Sequence, residues 1–424
     1  MRHLYLLLIS LSLSATAYSQ SIYLVADRMI DVVEEESILN PVIQISGGLI
    51  TAIGTSENTQ IPAGAEIIDL SGHTLMPGMI DMHVHLNNDA EVHGYRRLER
   101  STARRAITGV KNARATLLAG VTTVRNLGAN WGGHEDIALR DAINEGDVIG
   151  PRIFAAGPSL GITGGHCDLN LLPQEHDLAG VGVADGPWAV RQQVRENLKF
   201  GADVIKFCAT GGVLSKGTEV GVQQYTLEEM EALVDEAHRF GIVVAAHAHG
   251  TSGINDAIRA GVDSIEHASF IDDEGIRMAR RNGTYLSMDI YVTEYILSEG
   301  EAAGILQESL DKERTVGAVQ RENFTKAYEA GVNMVMGTDA GVYPHGDNLK
   351  QLSRMVQFGM EPMEAFQAAS INAATLLKQQ DSFGSIQVGL SADIIAVSGN
   401  PLEDITLMEA VNFVMKEGEI YKAP

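Results

Sequence analysis

Eight short apolar segments, each followed by a helical pattern, constrain what residues 77–385 can fold into. They are Gly78–His83, Val121–Asn126, Arg152–Ala156, Asp203–Cys208, Ile242–His247, Asp263–His267, Thr284–Met288 and Asn333–Thr338. The intervening helical patterns include Arg104–Leu118, Ala189–Phe200, Thr226–Phe240 and Gly253–Ala260, closed by Gly120, Gly201, Gly241 and Gly261, residues that accept the left-handed conformation at a helix C-terminus. Strand and helix in alternation build βαβ units around a parallel sheet, and eight units in roughly 300 residues predict an α/β (β/α)8 TIM barrel. The flanking segments read differently. Residues 20–76 and 386–424 contain short strands broken by turns such as Gly47-Gly48, Pro62-Ala63-Gly64 and Glu417-Gly418, with no long helical pattern. Both termini are therefore expected to build one small β domain of sandwich type beside the barrel.

The composition narrows the functional classes. Of the 424 residues 45% are hydrophobic, enough for a sizeable core, and 31 Lys and Arg stand against 55 Asp and Glu for a net charge of −24. Such an excess repels a phosphate backbone, so nucleic acid is not expected as a partner. Arg2 and His3 precede the apolar run Leu4 to Leu13, and small residues follow at Ala15, Ala17 and Ser19. This is the three-part pattern of a secretory signal peptide, expected to span residues 1–19 and to send the chain to the periplasm or outside the cell. The run is too short to span a bilayer. The two cysteines, Cys167 and Cys208, are too few for a disulfide framework and have no CxxC spacing.

The histidines gather where a barrel keeps its chemistry, at the C-terminal ends of the strands. His83 and His85 close the first strand, His247 and His249 the fifth, and His267 the sixth; Asp339 follows the eighth. Residues at i and i+2 of a strand share a face, so His83 and His85 can hold one ion from the same side. Imidazole and carboxylate are the donors that a catalytic Zn²⁺ uses while leaving a position for water. Lys206 sits in the middle of the apolar fourth strand, where an unpaired cation is costly to bury. Reaction of its amine with CO₂ would give an anionic carbamate able to bind two ions, whereas a lysine that snorkels to the mouth or pairs with an acid is the plainer alternative.

Taken together, Pro77-Gly78-Met79-Ile80-Asp81-Met82-His83-Val84-His85, Lys206, Ala246-His247-Ala248-His249-Gly250, Ser264-Ile265-Glu266-His267 and Gly337-Thr338-Asp339-Ala340-Gly341 resemble the amidohydrolase superfamily. The likeness is to its imidazolonepropionase-like branch, which holds metal-dependent dipeptidases of Xaa-Pro and Xaa-Arg type and ochratoxin-hydrolysing amidohydrolases. It covers nearly the whole chain after residue 20. The resemblance implies two Zn²⁺ ions per chain, for which other divalent ions can substitute. His83, His85 and Asp339 would hold the more buried ion, a carboxylated Lys206 would bridge, and His247 with His267 would hold the outer one. It further implies a bridging hydroxide as nucleophile and Asp339 as the proton-accepting and proton-returning carboxylate.

His249 shares a strand face with His247 and is assigned to substrate contact, with a supporting hydrogen bond as the alternative. His166, in Gly164-Gly165-His166, is expected to line the pocket. Tyr225 has two readings, a phenol that donates to the substrate carbonyl or a helix staple with Met230 beside the capping box Thr226/Glu229. Arg96, Arg97, Arg100 and Lys216 could meet a substrate carboxylate but are expected to be solvated. The expected substrate is a small amide, a dipeptide or N-acyl amino acid with a free C-terminal carboxylate. Homo-oligomerisation stays open. A cyclic-amide hydrolase or a deaminase is the rival enzyme, but the stretch 247–253 lacks the glutamate that such deaminases use. An exported metal-binding protein without catalysis would not need Asp339.

Overall fold

The computed structural model describes residues 21–129 and 133–424; the signal-type segment 1–19 lies outside them. The eight expected strands are all present. They are β1 (Met79–Val84), β2 (Val121–Asn126), β3 (Arg152–Ala155), β4 (Val204–Cys208), β5 (Val243–Ala248), β6 (Ser264–His267), β7 (Tyr285–Ser287) and β8 (Met334–Val335). Every residue of β1, β2, β4, β5 and β6 is buried, as expected for parallel strands covered on both faces. β1-β2-β3 form one parallel arc and β4 to β8 another. Parallel bridges run between the arcs at Leu160 and Phe207 on one side and at Val84 and Ala340 on the other.

The last strand is shorter than its apolar run suggests. Beyond Val335 the amide of Met336 donates to the Ala368 carbonyl, and the backbone turns away so that Asp339 takes a φ of 55°. The helices follow their local signals closely. Ser101 caps helix Thr102–Leu118 by accepting from the Arg104 amide, and Thr226 and Glu229 form the reciprocal capping box of helix Leu227–Arg239. Gly261 and Gly283 end two helices at φ 93° and 75°, where a β-carbon would be strained. After β7 the chain is helical over Val292–Ser298 and Gly300–Ala303 and enters the helix Gln307–Glu329. That last helix brings Glu313, Val316 and Gln320 to the cavity wall.

Strands from the two termini meet in one sheet. Ile22–Asp31 pairs with Glu66–Pro77 in parallel, and Glu66–Pro77 pairs with Ile394–Ser398 antiparallel. Hydrogen bonding joins all eight terminal strands into a single mixed sheet, where the strand pattern suggests two stacked ones. Its core holds Leu24, Ile43, Leu75, Ile394 and Phe413. Arg152, the first residue of β3, clamps this sheet to the parallel arcs through Asp393 at 2.7 Å and Glu417 at 2.6 Å. Among the described residues no helix is long and apolar enough to cross a membrane.

Candidate active site

The strand ends bring the expected side chains into one cavity, lined among others by His83, His85, His166, Lys206, His247, His249, His267 and Asp339. Three groups of three donors lie within it, one of them His267, Asp289 and Asp339. His83, His85 and Asp339 place their ligand atoms within 4.8 Å of one another, and so do His247, His249 and His267. Oδ1 of Asp339 lies 3.2 Å from Nε2 of His85 and 3.5 Å from Nε2 of His83. His249, expected at substrate, lines the cavity and also stands within the donor group of His247 and His267. Both His267 and Asp339 adopt positive φ, 70° and 55°. Strained backbone of this kind persists only where the surroundings hold it.

The rings are oriented from behind. His267 Nδ1 lies 2.9 Å from Asp289, whose same oxygen accepts from Gln320 Nε2 at 3.0 Å. His249 Nδ1 lies 2.8 Å from the Ser269 hydroxyl. Behind His83 stands Glu266, fully buried, with Oε2 3.3 Å from Nδ1 and Oε1 accepting from Arg125 Nη2 at 2.7 Å. Asp289 and Ser269 thus occupy Nδ1 of His267 and His249 and leave Nε2 of both rings free. Sequence reasoning gave no role to Glu266, Arg125, Asp289, Ser269 or Gln320. A buried-strand Arg125 and an acid one residue before His267 were the available signals.

Electrostatics favour cation binding. Burial, with the Lys206 charge nearby, lowers His83 to about 4, and burial with neighbouring histidines holds His247 and His249 well below the usual imidazole range. The rings are thus neutral near pH 7 and keep a free lone pair. His267 differs from the other rings, Asp289 raising it against the effect of burial, and the Asp339 carboxyl, although buried, is held below the usual carboxylate range by its contacts with the imidazoles around it. Burial also pulls the Lys206 amine down to about 8. Nε2 of His247 and Nδ1 of His166 are buried without a hydrogen-bond partner, a state that costs free energy unless a ligand completes it. The residues present fit a divalent cation.

His166 stacks on His247 with ring centroids 4.1 Å apart. A β-carbon on Gly212 would approach His166 to 2.3 Å and His247 to 2.9 Å, so only glycine leaves room for the pair. Next to His166, Cys167 forms a disulfide with Cys208 at the end of β4, although neither cysteine carried a signal in the sequence. Tyr225 is a correction. Its hydroxyl donates to the Ala184 carbonyl at 3.0 Å, its buried ring stands edge-on to Phe207 with centroids 6.0 Å apart, and it is not among the cavity-lining residues. The phenol is spent on a backbone acceptor, so it is not placed to donate to a substrate carbonyl.

A parallel α/β framework with imidazoles and carboxylates at the C-terminal strand ends defines a class of proteins whose chemistry sits at that face. The chain belongs to the amidohydrolase family, whose signature matches residues 74–421. It is 33% identical over 416 residues to the ochratoxinase of Aspergillus niger, covering 92% of this chain and 84% of that one. The crystal structure of a Xaa-Pro dipeptidase with methionine bound in its active site superposes with a TM-score of 0.90 at 39% identity, covering 95% of this chain and 100% of the other. The crystal structure of A. niger ochratoxinase gives 0.84 at 30% identity over 96% of each chain.

Proposed function

We propose that the protein is a binuclear metal-dependent amidohydrolase that cleaves the amide bond of dipeptides or N-acyl amino acids with a free C-terminal carboxylate. One observation carries this reading: two three-donor groups, His83/His85/Asp339 and His247/His249/His267, share a single cavity with Lys206 in its wall. Divalent cations held there, Zn²⁺ foremost, would supply a water acidic enough to attack a carbonyl at neutral pH and would polarise that carbonyl.

The chain's own residues supply the rest. The Lys206 amine, made less basic by burial, has a neutral fraction able to add to the carbon of CO₂. Loss of a proton then leaves a carbamate anion in place of a buried cation, suited to lie between the two donor groups. Asp339, ionised and beside His83 and His85, accepts a proton from the attacking water and returns it to the leaving amine as the C–N bond breaks. Asp289 and Glu266 hold His267 and His83 in register throughout. The methionine in the related dipeptidase structure supports a site that receives a free amino acid. The disulfide across the site supports export, since such bonds persist in oxidising compartments.

Elemental analysis and a substrate screen test the proposal together. Protein prepared without chelator should carry two divalent ions per chain and release free amine from a library of dipeptides and N-acyl amino acids. One ion with full activity would overturn the binuclear site. Cleavage confined to cyclic amides would overturn the substrate class.

A further inference from the structure

Of the cations on the segments around the cavity, three are already engaged. Arg100 pairs with Asp89 at 3.4 Å, Lys216 with Glu308 at 3.1 Å, and Lys312 donates to the Ser215 carbonyl at 2.7 Å. Arg96 is exposed. Arg97 differs from all of these. It lines the cavity, is half-buried, and among the described residues has no Asp or Glu within 4.0 Å. Its Nε donates to the Val92 carbonyl at 3.1 Å, which fixes the plane of the guanidinium and leaves the two Nη groups for another acceptor.

The turn that carries Arg97 is built rather than loose. It is a 3-10 segment, Gly94–Glu99, that follows β1 and the metal-type pair His83/His85. Gly94 has a φ of 57°, and Leu306 packs close to it, 3.1 Å from the point a β-carbon would occupy. The Tyr95 hydroxyl donates to the Asn170 carbonyl at 2.7 Å. Asn170 in turn donates to the carbonyls of Gly165 and Lys216 at 2.8 and 3.1 Å. The segments after β1, β3 and β4 are thereby tied into one rim, and His166 sits in the middle one. The field of Asp339 reaches Arg97, so the guanidinium and the donor groups serve one cavity.

A partly desolvated guanidinium with no acid partner loses free energy unless a ligand supplies the anion, and its planar fork matches a carboxylate in a two-point contact. We infer that Arg97 is the substrate-carboxylate anchor, binding the C-terminal carboxylate of the amino acid released when the amide is cleaved. The inference rests on the amide-hydrolase reading above and makes it specific. The same cavity holds the scissile carbonyl at the histidine cluster and the carboxylate at the rim, so the enzyme acts on the last residue of a short chain. A longer chain or a blocked C-terminus leaves Arg97 unpaired. Arg97 takes no part in bond making; it sets which amides reach the reacting groups.

The test compares metal-replete wild-type enzyme with Arg97→Met and Arg97→Lys on the best N-acyl amino acid of the screen and on its carboxamide. Wild type should favour the free acid, and Arg97→Met should reduce the free-acid over carboxamide ratio of kcat/KM roughly 10- to 100-fold, mainly through KM, as for a lost charged hydrogen bond. Arg97→Lys should restore part of the ratio, because an ammonium cannot make the two-point contact. A ratio unchanged in Arg97→Met overturns the anchor. So does a wild type that turns over acid and carboxamide equally, although amide hydrolysis then stands. Calorimetric binding of L-phenylalanine and of L-phenylalaninamide gives a readout without turnover. If the enzyme cleaves no amide, the hydrolase reading falls, and equal binding of these two probes then removes the anchor as well.

Discussion

Oε2 of Glu266 lies 3.3 Å from Nδ1 of His83, with neither side chain more than 1% exposed. Arg125, itself fully buried, holds the other oxygen of Glu266 at 2.7 Å and the Met82 carbonyl at 2.6 Å. The arginine thus fixes the carboxylate, whose free oxygen faces Nδ1 of His83, while Nε2 on the other side of the ring lies 3.5 Å from Asp339. In Glu266→Gln the Arg125 charge loses its counter-ion and His83 loses the carboxylate beside Nδ1. Metal affinity should fall about 10- to 100-fold, the usual effect of removing a group that orients a ligand, and the melting temperature should drop. Chelator-competition titration beside thermal unfolding checks this; wild-type affinity would show that Glu266 serves stability alone.

If the proposed carbamate on Lys206 bridges two ions, Lys206→Ala should lose one of them and most turnover. Metal analysis and kinetics of the variant read both effects. Partial recovery with added short-chain carboxylic acid would support a bridging anion, whereas an unaffected variant would exclude one.

Asp339→Asn should keep the fold yet lose hydrolysis by about 10²-fold or more, as expected when a positioned acid–base group is removed. Circular dichroism and steady-state kinetics separate the two effects. Near-native turnover would move the base to another group.

Glu313 is buried with Oε1 unpartnered, and burial raises its carboxyl from 4.5 to about 7. The folded state therefore favours the protonated acid. Its contribution to stability is complete below about pH 4.5 and is lost as pH rises through about 7, a difference of order 3 kcal/mol. In metal-free protein, denaturant unfolding between pH 4.5 and 8 should show this loss, and Glu313→Gln should flatten the profile. A profile identical in the variant would assign the dependence to other groups.

The sequence by itself determined what neighbours within a few positions decide. The strand period puts His83 and His85 on one face, and the capping box Thr226/Glu229 starts its helix where the pattern says. Tyr225 shows the limit of such reading, because a staple and a catalytic phenol look alike until the hydroxyl is seen to bond Ala184. Partners far apart in the chain were beyond local pattern. Arg125 and Glu266 meet across 141 positions, Cys167 and Cys208 across 41. Arg97 looks like its neighbours Arg96 and Arg100 in the sequence; only the fold leaves Arg96 exposed, gives Arg100 the Asp89 carboxylate and places Arg97 among the cavity-lining residues. Hydrophobic periodicity and caps act along the chain, whereas ion pairs, ring orientation and the disulfide depend on which strand ends face the same cavity. Only the packed structure sets that proximity, because burial removes the water that would otherwise satisfy each of these groups alone.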